Sequence, residues 1–546
     1  MKNAALLFFV AAAVYPAGVA IDYAAEGKLW WSHIRFLADD KLAGRDTGSE
    51  GYKQAVTYVS DEFERAGLKP LGTDGYEQPV KFDKRELVAA ESSAVLVRDG
   101  KSEPLGNVSP RGDLAPEVEA SMVFVGYGLV IPEAKYDGLA GLDLKGKIAV
   151  YVNAGGPVEV SGPVKSHYSS GAERWAAFKR AGAIGIATIP GGRGPNGANA
   201  GNAGANGGSG DGAAAGRGNG GRGPQTSVAL ADPALQETAG QQVVVTVGRP
   251  GAEVLFEGSG HTFEEIEKLA NANQPLPTFP LQGLLKSKTV VHRSEMQASN
   301  VVGLLPGTDR KLKNEYVIMS AHLDHQGVGR PVNGDSIYNG AMDDASGIAS
   351  VIEIARLMEA TGVKPKRSII FLAVTAEEKG ELGSRYFAAH PTVPFGQIVA
   401  DINLDMFLPL YALKVIEVQG LSESTLGETV RAAAAEFGVA VQVDQEPEQN
   451  RFSRSDQYSF IRRGVPSLAF KFGYEKGSPE EKIRKDWVRN IYHKPSDDLN
   501  QPVDQAAAAQ FDRIIMSLLG RVADAKDRPH WNDDSFFKRF ASEGHI

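Results

Sequence analysis

A short apolar segment that ends in a metal-ligand pattern constrains the fold of this chain more than any other feature. Residues 316–320 (YVIMS) have the length and β-rich content of a buried strand, and the segment leads into His322, Leu323 and Asp324. Side chains alternate along a strand, so His322 and Asp324 are expected on the same side, where a carboxylate can accept the second N–H of an imidazole. The segment therefore predicts a metal ligand at the end of a strand.

More acidic residues and a second histidine lie downstream. Asp343 follows a Gly/Asn-rich loop and precedes a segment with helical spacing, whereas Glu377, Glu378, Asp405 and His493 come at the ends of further apolar segments. Histidine and carboxylate side chains at strand ends suit a divalent cation, with zinc the favoured ion. The chain contains no cysteine, so thiolate ligands and disulfides are excluded.

Strands and helices alternate from residue 316 onward, which predicts an α/β fold. The alternation favours a mainly parallel, mixed sheet sandwiched by helices, with ligands at the carboxyl ends of its strands. Two earlier segments, 29–39 and 50–66, have helical periodicity and would belong to the same catalytic domain. Residues 505–522 would form the closing helix.

Six motifs give the chain a family resemblance. Five keep one order along residues 315–499, namely HLD (322–324), GAMDDASG (340–347), TAEEKGELGS (375–384), NLDM (403–406) and YHKPSDD (492–498). The sixth, LAGRDTGSEG at 42–51, is similar to the family's N-terminal signature. Together they resemble the co-catalytic dizinc aminopeptidases, whose zinc exopeptidase-like relatives include bacterial leucyl aminopeptidases, glutamate carboxypeptidase and the transferrin receptor.

The resemblance implies a site that binds two Zn²⁺ ions. The expected ligands are His322 and Asp405 for one ion, Glu378 and His493 for the other, and Asp343 as the bridge between them. Each ion would keep an open position, as catalytic zinc does. A water shared by the two ions would be acidified toward hydroxide.

The resemblance also assigns roles to three residues beside the ligands. Glu377 would be the general base that takes the proton of this water. Tyr492 would hydrogen-bond the carbonyl oxygen of the substrate as it gains charge. Asp324 would be the carboxylate partner of His322.

Other polar residues near the motifs have less direct interpretations. Strand alternation directs His325 away from the ligand side, so it is interpreted as a loop residue. Asp344 stands where the family often has Asn, and the resemblance implies a cis peptide bond between Asp343 and Asp344. Arg454 and Asp456 either contact substrate ends or form a structural salt bridge.

The sequence predicts five segments with different roles. They are a signal peptide (1–20), the N-terminal part of the catalytic domain (21–114), an inserted domain (115–287), the main part of the catalytic domain (288–525) and a C-terminal tail (526–546). The first segment has a basic start, a short apolar stretch and small residues before a cleavage site, which predicts export to the periplasm or the exterior. Residues 191–224 are nearly half glycine and are expected to be a flexible loop.

The inserted segment is rich in short β-type stretches. VFVGYGL, YDGLAGLDLKGKIAVY and AGAIGIATI resemble the protease-associated domain found in members of the family. A β-rich spacer of another kind remains the alternative. The resemblance therefore implies a β-rich protease-associated domain inserted into the catalytic domain.

Charge and motifs together limit the function. The net charge is −9 and no basic stripe is present, which argues against nucleic acid as a partner, and no segment after the N-terminus is apolar enough to span a membrane. We expect a secreted, zinc-dependent exopeptidase that acts on peptides, with aminopeptidase activity. The alternatives are a glutamate-carboxypeptidase-like carboxypeptidase, a glutaminyl cyclase with one zinc, and a receptor-like binding protein, which the complete ligand set disfavours. The sequence leaves the oligomeric state open.

Overall fold

The computed structural model describes residues 21–191 and 225–542 of the chain. The predicted signal peptide and nearly all of the predicted glycine-rich loop lie outside these residues. The strands are β1 (Lys69–Pro70), β2 (Glu77–Leu87), β3 (Ser93–Arg98), β4 (Lys101–Val108), β5 (Glu117–Phe124), β6 (Val130–Ile131), β7 (Tyr136–Asp137), β8 (Ile148–Asn153), β9 (Gly185–Pro190), β10 (Thr226–Leu230), β11 (Val243–Thr246), β12 (Phe279–Lys288), β13 (Val291–Leu305), β14 (Tyr316–His322), β15 (Gly327–Val332), β16 (Asp335–Tyr338), β17 (Ser368–Val374), β18 (Ile398–Asn403), β19 (Val415–Gln419), β20 (Ala440–Val443) and β21 (Ser467–Phe472).

The helices alternate with these strands in the second half of the chain. They are α1 (Tyr23–Leu37), α2 (Glu50–Arg65), α3 (Gly162–Ser169), α4 (Gly171–Arg180), α5 (Arg249–Phe256), α6 (Phe263–Asn271), α7 (Ser346–Ala360), α8 (Leu382–Ala389), α9 (Leu426–Ala435), α10 (Gln457–Ile461), α11 (Pro479–Asn490), α12 (Gln505–Asp524) and α13 (Lys538–Ser542). The predicted helices at 29–39, 50–66 and 505–522 correspond to α1, α2 and α12. None of the described helices is both long and apolar enough to cross a membrane.

One large mixed sheet forms the centre of the molecule. Its strand order is β10-β2-β13-β17-β14-β18-β21-β19-β20, and β1 also pairs with β13. The pairs β17–β14, β14–β18, β18–β21 and β19–β20 are parallel, whereas the pairs that involve β2 and β13 are antiparallel. The α/β fold is therefore confirmed, but the parallel arrangement is confined mainly to the central strands, because β2 and β13 extend the sheet as a long antiparallel pair.

Both faces of the sheet are buried, which explains the continuous apolar strands. On one face, Val317 and Phe371 pack with α1, α2, α7 and α12 in a cluster that includes Trp30. On the other face, Ile318 and Leu372 pack in a cluster that contains residues of α8 and α10. Helices on both sides hold the central strands in place, so the loops after these strands have fixed positions.

A second unit is a closed β-barrel in the order β11-β4-β3-β12-β5-β8-β9. The barrel begins at Ser93, before the predicted boundary at residue 115, and ends with β12 at Lys288. Within the predicted range, β10 pairs with β2 of the large sheet instead of joining the barrel. The barrel and the predicted insertion therefore overlap without coinciding, because β3 and β4 pair with strands that lie far downstream.

Polar and aromatic contacts join the barrel unit to the catalytic domain. The Nδ1 atom of His167 in α3 lies 2.8 Å from the hydroxyl of Tyr458 in α10. The C-terminal segment, to which the sequence analysis assigned no structure beyond a tail, packs Trp531 and Phe537 in one cluster with Tyr458. Arg539 of the same segment forms an ion pair with Glu133 near the barrel, so this segment contacts both units.

Candidate metal centre

The loops at the carboxyl ends of the central strands bring the predicted metal ligands together. His322 is the last residue of β14, Glu378 follows β17, and Asp405 follows β18. Asp343 precedes α7, and His493 follows α11. Because β17, β14 and β18 are adjacent and parallel, their carboxyl ends meet at one edge of the sheet, as the sequence analysis expected.

Asp343 lies between two groups of ligands. Its Oδ1 atom is 3.1 Å from His322 Nε2, and its Oδ2 atom is 3.0 Å from His493 Nε2. Asp405 Oδ1 lies 3.6 Å from His322 Nε2 on one side, and Glu378 Oε1 lies 3.4 Å from His493 Nε2 on the other. The five residues therefore converge as two groups that share the Asp343 carboxylate.

The contacts of these carboxylates fit bound cations. Asp343 Oδ2, Glu378 Oε1 and Asp405 Oδ1 are buried, and the histidine nitrogens near them lack the geometry of a hydrogen bond. A buried carboxylate oxygen without a donor is unfavourable unless a positive charge compensates it. Imidazole and carboxylate ligands in this number suit zinc.

The interpretation of His325 as a loop residue directed away from the ligands is wrong. It is fully buried, with Nδ1 2.8 Å from Glu378 Oε1 and 3.8 Å from Asp343 Oδ2. Strand alternation does not extend to this position because β14 ends at His322 and His325 instead forms a parallel bridge with Asp46. The second histidine of the HLDH sequence was the only signal for it.

Asp324 also differs from its predicted role. The Nδ1 atom of His322 lies 3.0 Å from the backbone carbonyl of Asp324, not from its carboxylate. The carboxylate instead accepts hydrogen bonds from the backbone N–H of Glu377 at 3.0 Å and from the hydroxyl of Thr47 at 3.0 Å. Asp324 thus contacts the His322 ring through its main chain and the Glu377 backbone through its side chain.

Two further acids hold the backbone around the ligands. Asp344 Oδ1 accepts the N–H groups of Gly347 at 2.9 Å and Met406 at 3.1 Å. Asp497 Oδ2 accepts the N–H of Asp343 at 3.1 Å, a contact that the sequence analysis missed. The peptide bond between Asp343 and Asp344 is cis, as predicted. These contacts fix the loop that carries Asp343.

The signature at residues 42–51 also contacts the loops that carry the ligands. Arg45 is fully buried, and its guanidinium donates to the backbone carbonyls of Leu323 at 3.0 Å, Asn339 at 2.6 Å and Gly340 at 3.0 Å. One side chain therefore links the segment after β14 to the segment before Asp343.

Glu377 and Tyr492 line a cleft beside the ligands. The cleft has a volume of about 150 Å³, and His322, Asp343, Asp405 and His493 also line it. Glu377 is buried, and the Tyr492 ring stacks on the His493 ring with 3.8 Å between the ring centres. Both residues are placed where a substrate in the cleft would contact them.

The part of the chain that contains the predicted ligands matches the model of a known family. Residues 300–519 match the model of peptidase family M28. The match covers less than half of the chain. All five predicted ligands lie within the matched residues, and the LAGRDTGSEG signature lies outside them.

Individual curated proteins are similar to this chain over shorter regions. A probable leucine aminopeptidase 2 of Aspergillus oryzae is 30% identical over 188 residues, which are 33% of this chain and 35% of that protein. Carboxypeptidase Q of Xenopus laevis is 30% identical over 122 residues, 22% of this chain and 24% of that protein. The chain thus spans about a third or less of the length of these curated relatives.

A solved structure supports the fold over nearly the whole chain. The aminopeptidase from Aneurinibacillus sp. strain AM-1 has a TM-score of 0.52 and 19% identity, and the match covers 93% of this chain and 98% of that one. At this identity the likeness concerns the fold.

The buried acids of the candidate centre raise the pKa of neighbouring groups. Burial lowers the pKa of His493, but the carboxylates of Glu378 and Asp343 outweigh it and raise the pKa to about 10. Burial raises the pKa of Glu377 well above its usual value, and the neighbouring acids Asp456 and Asp405 add to this against the opposing effect of His322. A carboxyl with a raised pKa is suited to accept and return a proton near neutral pH.

Proposed function

We propose that this chain is an exopeptidase that binds two zinc ions and removes residues from the N-terminus of peptides. The observation that carries the proposal is the Asp343 carboxylate, whose two oxygens face separate histidine and carboxylate groups. The similarity to a probable leucine aminopeptidase 2 supports the choice of the N-terminus.

Each residue of the centre has a role in this proposal. His322 and Asp405 would hold one zinc ion, Glu378 and His493 the other, and Asp343 both. When bound, the ions would acidify a water and polarise the scissile carbonyl.

Glu377 would take a proton in the cleft and transfer it to the leaving amine, since its carboxyl faces the cleft and burial raises its pKa. The Tyr492 hydroxyl would donate a hydrogen bond to the carbonyl oxygen as negative charge develops there. Asp324 would keep the Glu377 backbone in position.

A carboxypeptidase is the second candidate, and a specific observation favours it. Four basic residues line the cleft beside the ligands: Arg451, Arg454, Lys471 and Arg484. Cations suit the free carboxylate of a peptide C-terminus. The similarity to carboxypeptidase Q is compatible with this reading. A one-zinc cyclase and a receptor-like protein are less well supported, because both ligand groups are complete.

Substrates with a free amine and substrates with a blocked amine distinguish the two candidates. With zinc restored, we expect aminoacyl-4-nitroanilides to be hydrolysed and the same compounds with an acetylated amine to resist. Preferential hydrolysis of N-blocked dipeptides would overturn the aminopeptidase assignment and support the carboxypeptidase. One zinc ion per chain at saturation, measured by plasma emission spectrometry, would contradict the two-ion site.

Two sequence predictions remain proposals about the whole protein. Export rests on the signal-type pattern of the first 20 residues. A protease-associated identity for the inserted segment rests on its three sequence motifs and is consistent with a closed β-barrel.

A further inference from the structure

The cleft beside the metal centre has an unusual distribution of charge. Its acidic lining residues are Asp343, Glu377 and Asp405, all of which belong to the centre itself. Its basic lining residues come from β21, α11 and residues 451–454, which supply none of the expected metal ligands. These elements form a cationic wall of the cleft.

Two of these cations are compensated by neighbouring carboxylates. Arg484 forms a paired contact with Glu417, with nitrogen–oxygen distances of 2.8 and 3.0 Å. Arg451 lies 2.7 Å from Glu446 Oε2. These two arginines are consequently part of the structure of the wall.

Lys471 and Arg454 differ from these two arginines. Among the side chains that the structure describes, neither has a carboxylate oxygen within the 4.0 Å that defines an ion pair. Lys471 is 7% exposed, and its ammonium donates to one backbone carbonyl, that of Asp405, at 2.8 Å. The Arg454 guanidinium donates to the carbonyl of Gln449 at 3.2 Å. The carboxylate of Asp405 acts on the Lys471 ammonium from beyond the ion-pair distance, so a bound anion would give the buried charge a direct partner.

A neighbouring amide also lacks an acceptor. Gln419 lies at the end of β19, opposite Ala469 of β21, and lines the cleft on the same face of the sheet as Lys471. It is 3% exposed, and its Nε2 atom has no hydrogen-bond partner among the described residues. This part of the wall offers donors without matching acceptors.

We propose, on the basis of the peptidase function above, that this wall binds a carboxylate of the substrate through Lys471, Arg454 and Gln419. The carboxylate has two possible sources with the same chemistry. It is either the acidic side chain of an N-terminal Glu or Asp, or the α-carboxylate of a C-terminal residue. Charge-assisted hydrogen bonds from these donors would select such substrates over neutral ones.

Matched substrates test the proposal on the unmodified protein. Zinc-loaded protein is assayed with glutamyl- and glutaminyl-4-nitroanilide, and with an N-acetylated dipeptide and its C-terminal amide. We expect the charged member of one pair to have a kcat/KM about 10- to 100-fold higher, as for a hydrogen bond to a charged group. The pair that shows the preference identifies the source, and equal rates within both pairs would overturn the proposal.

Lys471→Met tests the assigned residue. We expect the preference for the charged substrate to fall toward one, and Lys471→Arg to retain part of it. Lys414→Met is the matched control, because Lys414 has a 74% exposed side chain, pairs with Glu480 and lies outside the cleft lining, so the ratio should stay at the wild-type value. An unchanged ratio in Lys471→Met would overturn the role of Lys471.

A binding measurement separates this proposal from the peptidase proposal. Calorimetric titration of the zinc-loaded protein compares L-glutamate with L-glutamine, and L-leucine with L-leucinamide. If no substrate is hydrolysed, the proposed function fails, yet tighter binding of the charged compound in one pair still supports the carboxylate site. Equal affinities within both pairs contradict it whether or not the protein is active.

Discussion

Glu377 and Glu378 are adjacent in sequence but have different surroundings. Glu378 Oε1 lies 2.8 Å from His325 Nδ1 and 3.4 Å from His493 Nε2. Burial raises the pKa of Glu378, but His493 and His325 outweigh it and hold the pKa well below its usual value. For Glu377, burial and neighbouring acids act together and raise the pKa. The Glu378 carboxylate is therefore suited to bind a cation, and the Glu377 carboxyl is suited to exchange a proton.

Substitution of each glutamate by glutamine should therefore have a different effect. Glu377→Gln should lower kcat by roughly 10²- to 10⁴-fold, the usual contribution of an acid-base group, and leave the zinc content unchanged. Glu378→Gln should lose or weaken one zinc ion and recover part of its activity in excess zinc. Activity and metal content are measured on the same preparations. Near-normal kcat in Glu377→Gln at several pH values would remove Glu377 from the mechanism.

His325 leads to a second prediction at this scale. Its Nδ1 atom lies 2.8 Å from Glu378 Oε1, so the ring is close enough to orient this ligand for zinc. His325→Ala should weaken zinc binding by about 10- to 100-fold, the usual effect of losing such a partner. Competition with a chelator measures the affinity, and His261→Ala, a change of a histidine on the barrel unit, is the control. Unchanged zinc affinity in His325→Ala would show that Glu378 is positioned without it.

The residues of the site were predictable to different degrees. The five ligands and Glu377 follow strand ends or fixed motifs, and the spacing of such motifs is visible in the sequence. The Asp324 carboxylate and His325 lie in a loop beyond β14, where side-chain direction depends on contacts with residues 45–47 and 377. Alternation along a strand carries no information there, because the loop no longer has strand geometry.

At the scale of elements, predictions failed where pairing is long-range. α2, β14 and α12 have strong periodicity of their own, so their existence was predictable. The limits of the barrel were not, because β3 and β4 pair with β12 and β11, which lie well over 100 residues further along the chain. The antiparallel β2–β13 pair escaped prediction for the same reason.

The contact between α3 and α10 should make the stability depend on pH. Burial lowers the pKa of His167 to about 3, and Arg462 and Arg539 add to the effect. The unfolded imidazole titrates near pH 6.5, so below about 6.5 the unfolded chain binds a proton that the folded chain does not. The stability contributed by the neutral ring is therefore present above this pH and is lost as the pH falls toward about 3.

His167→Gln should remove this dependence, since glutamine can still contact the Tyr458 hydroxyl but does not titrate. Between about pH 6.5 and 4.5 we expect the unfolding free energy of the wild type to fall more steeply, by up to about 1.4 kcal/mol per pH unit. Urea unfolding at several pH values measures the difference. His261→Gln serves as the control, because His261 is partly exposed and pairs with Glu265 within the barrel unit. Parallel pH profiles for wild type and His167→Gln would contradict the prediction.

At the scale of the whole molecule, the metal centre joins distant parts of the chain. Its expected ligands come from five separate segments, at the end of β14, before α7, after β17, after β18 and after α11. These ligands are brought together only in the folded protein, so zinc should bind the folded state in preference to the unfolded one. Zinc binding should therefore stabilise the entire catalytic domain.

Removal of zinc should lower the apparent Tm by several degrees. A ligand at 100 times its Kd stabilises the folded state by about 2.7 kcal/mol per site, so the Tm should rise with free zinc and fall again in a chelator. Scanning calorimetry at buffered zinc concentrations measures this shift. Glu378→Gln should need more zinc for the same rise, because one ligand group is weakened, whereas Lys414→Met should follow the wild type. Equal Tm values in zinc and in chelator would mean that the five segments are held together without the ions, and that the histidines alone compensate the buried carboxylates of Asp343, Glu378 and Asp405.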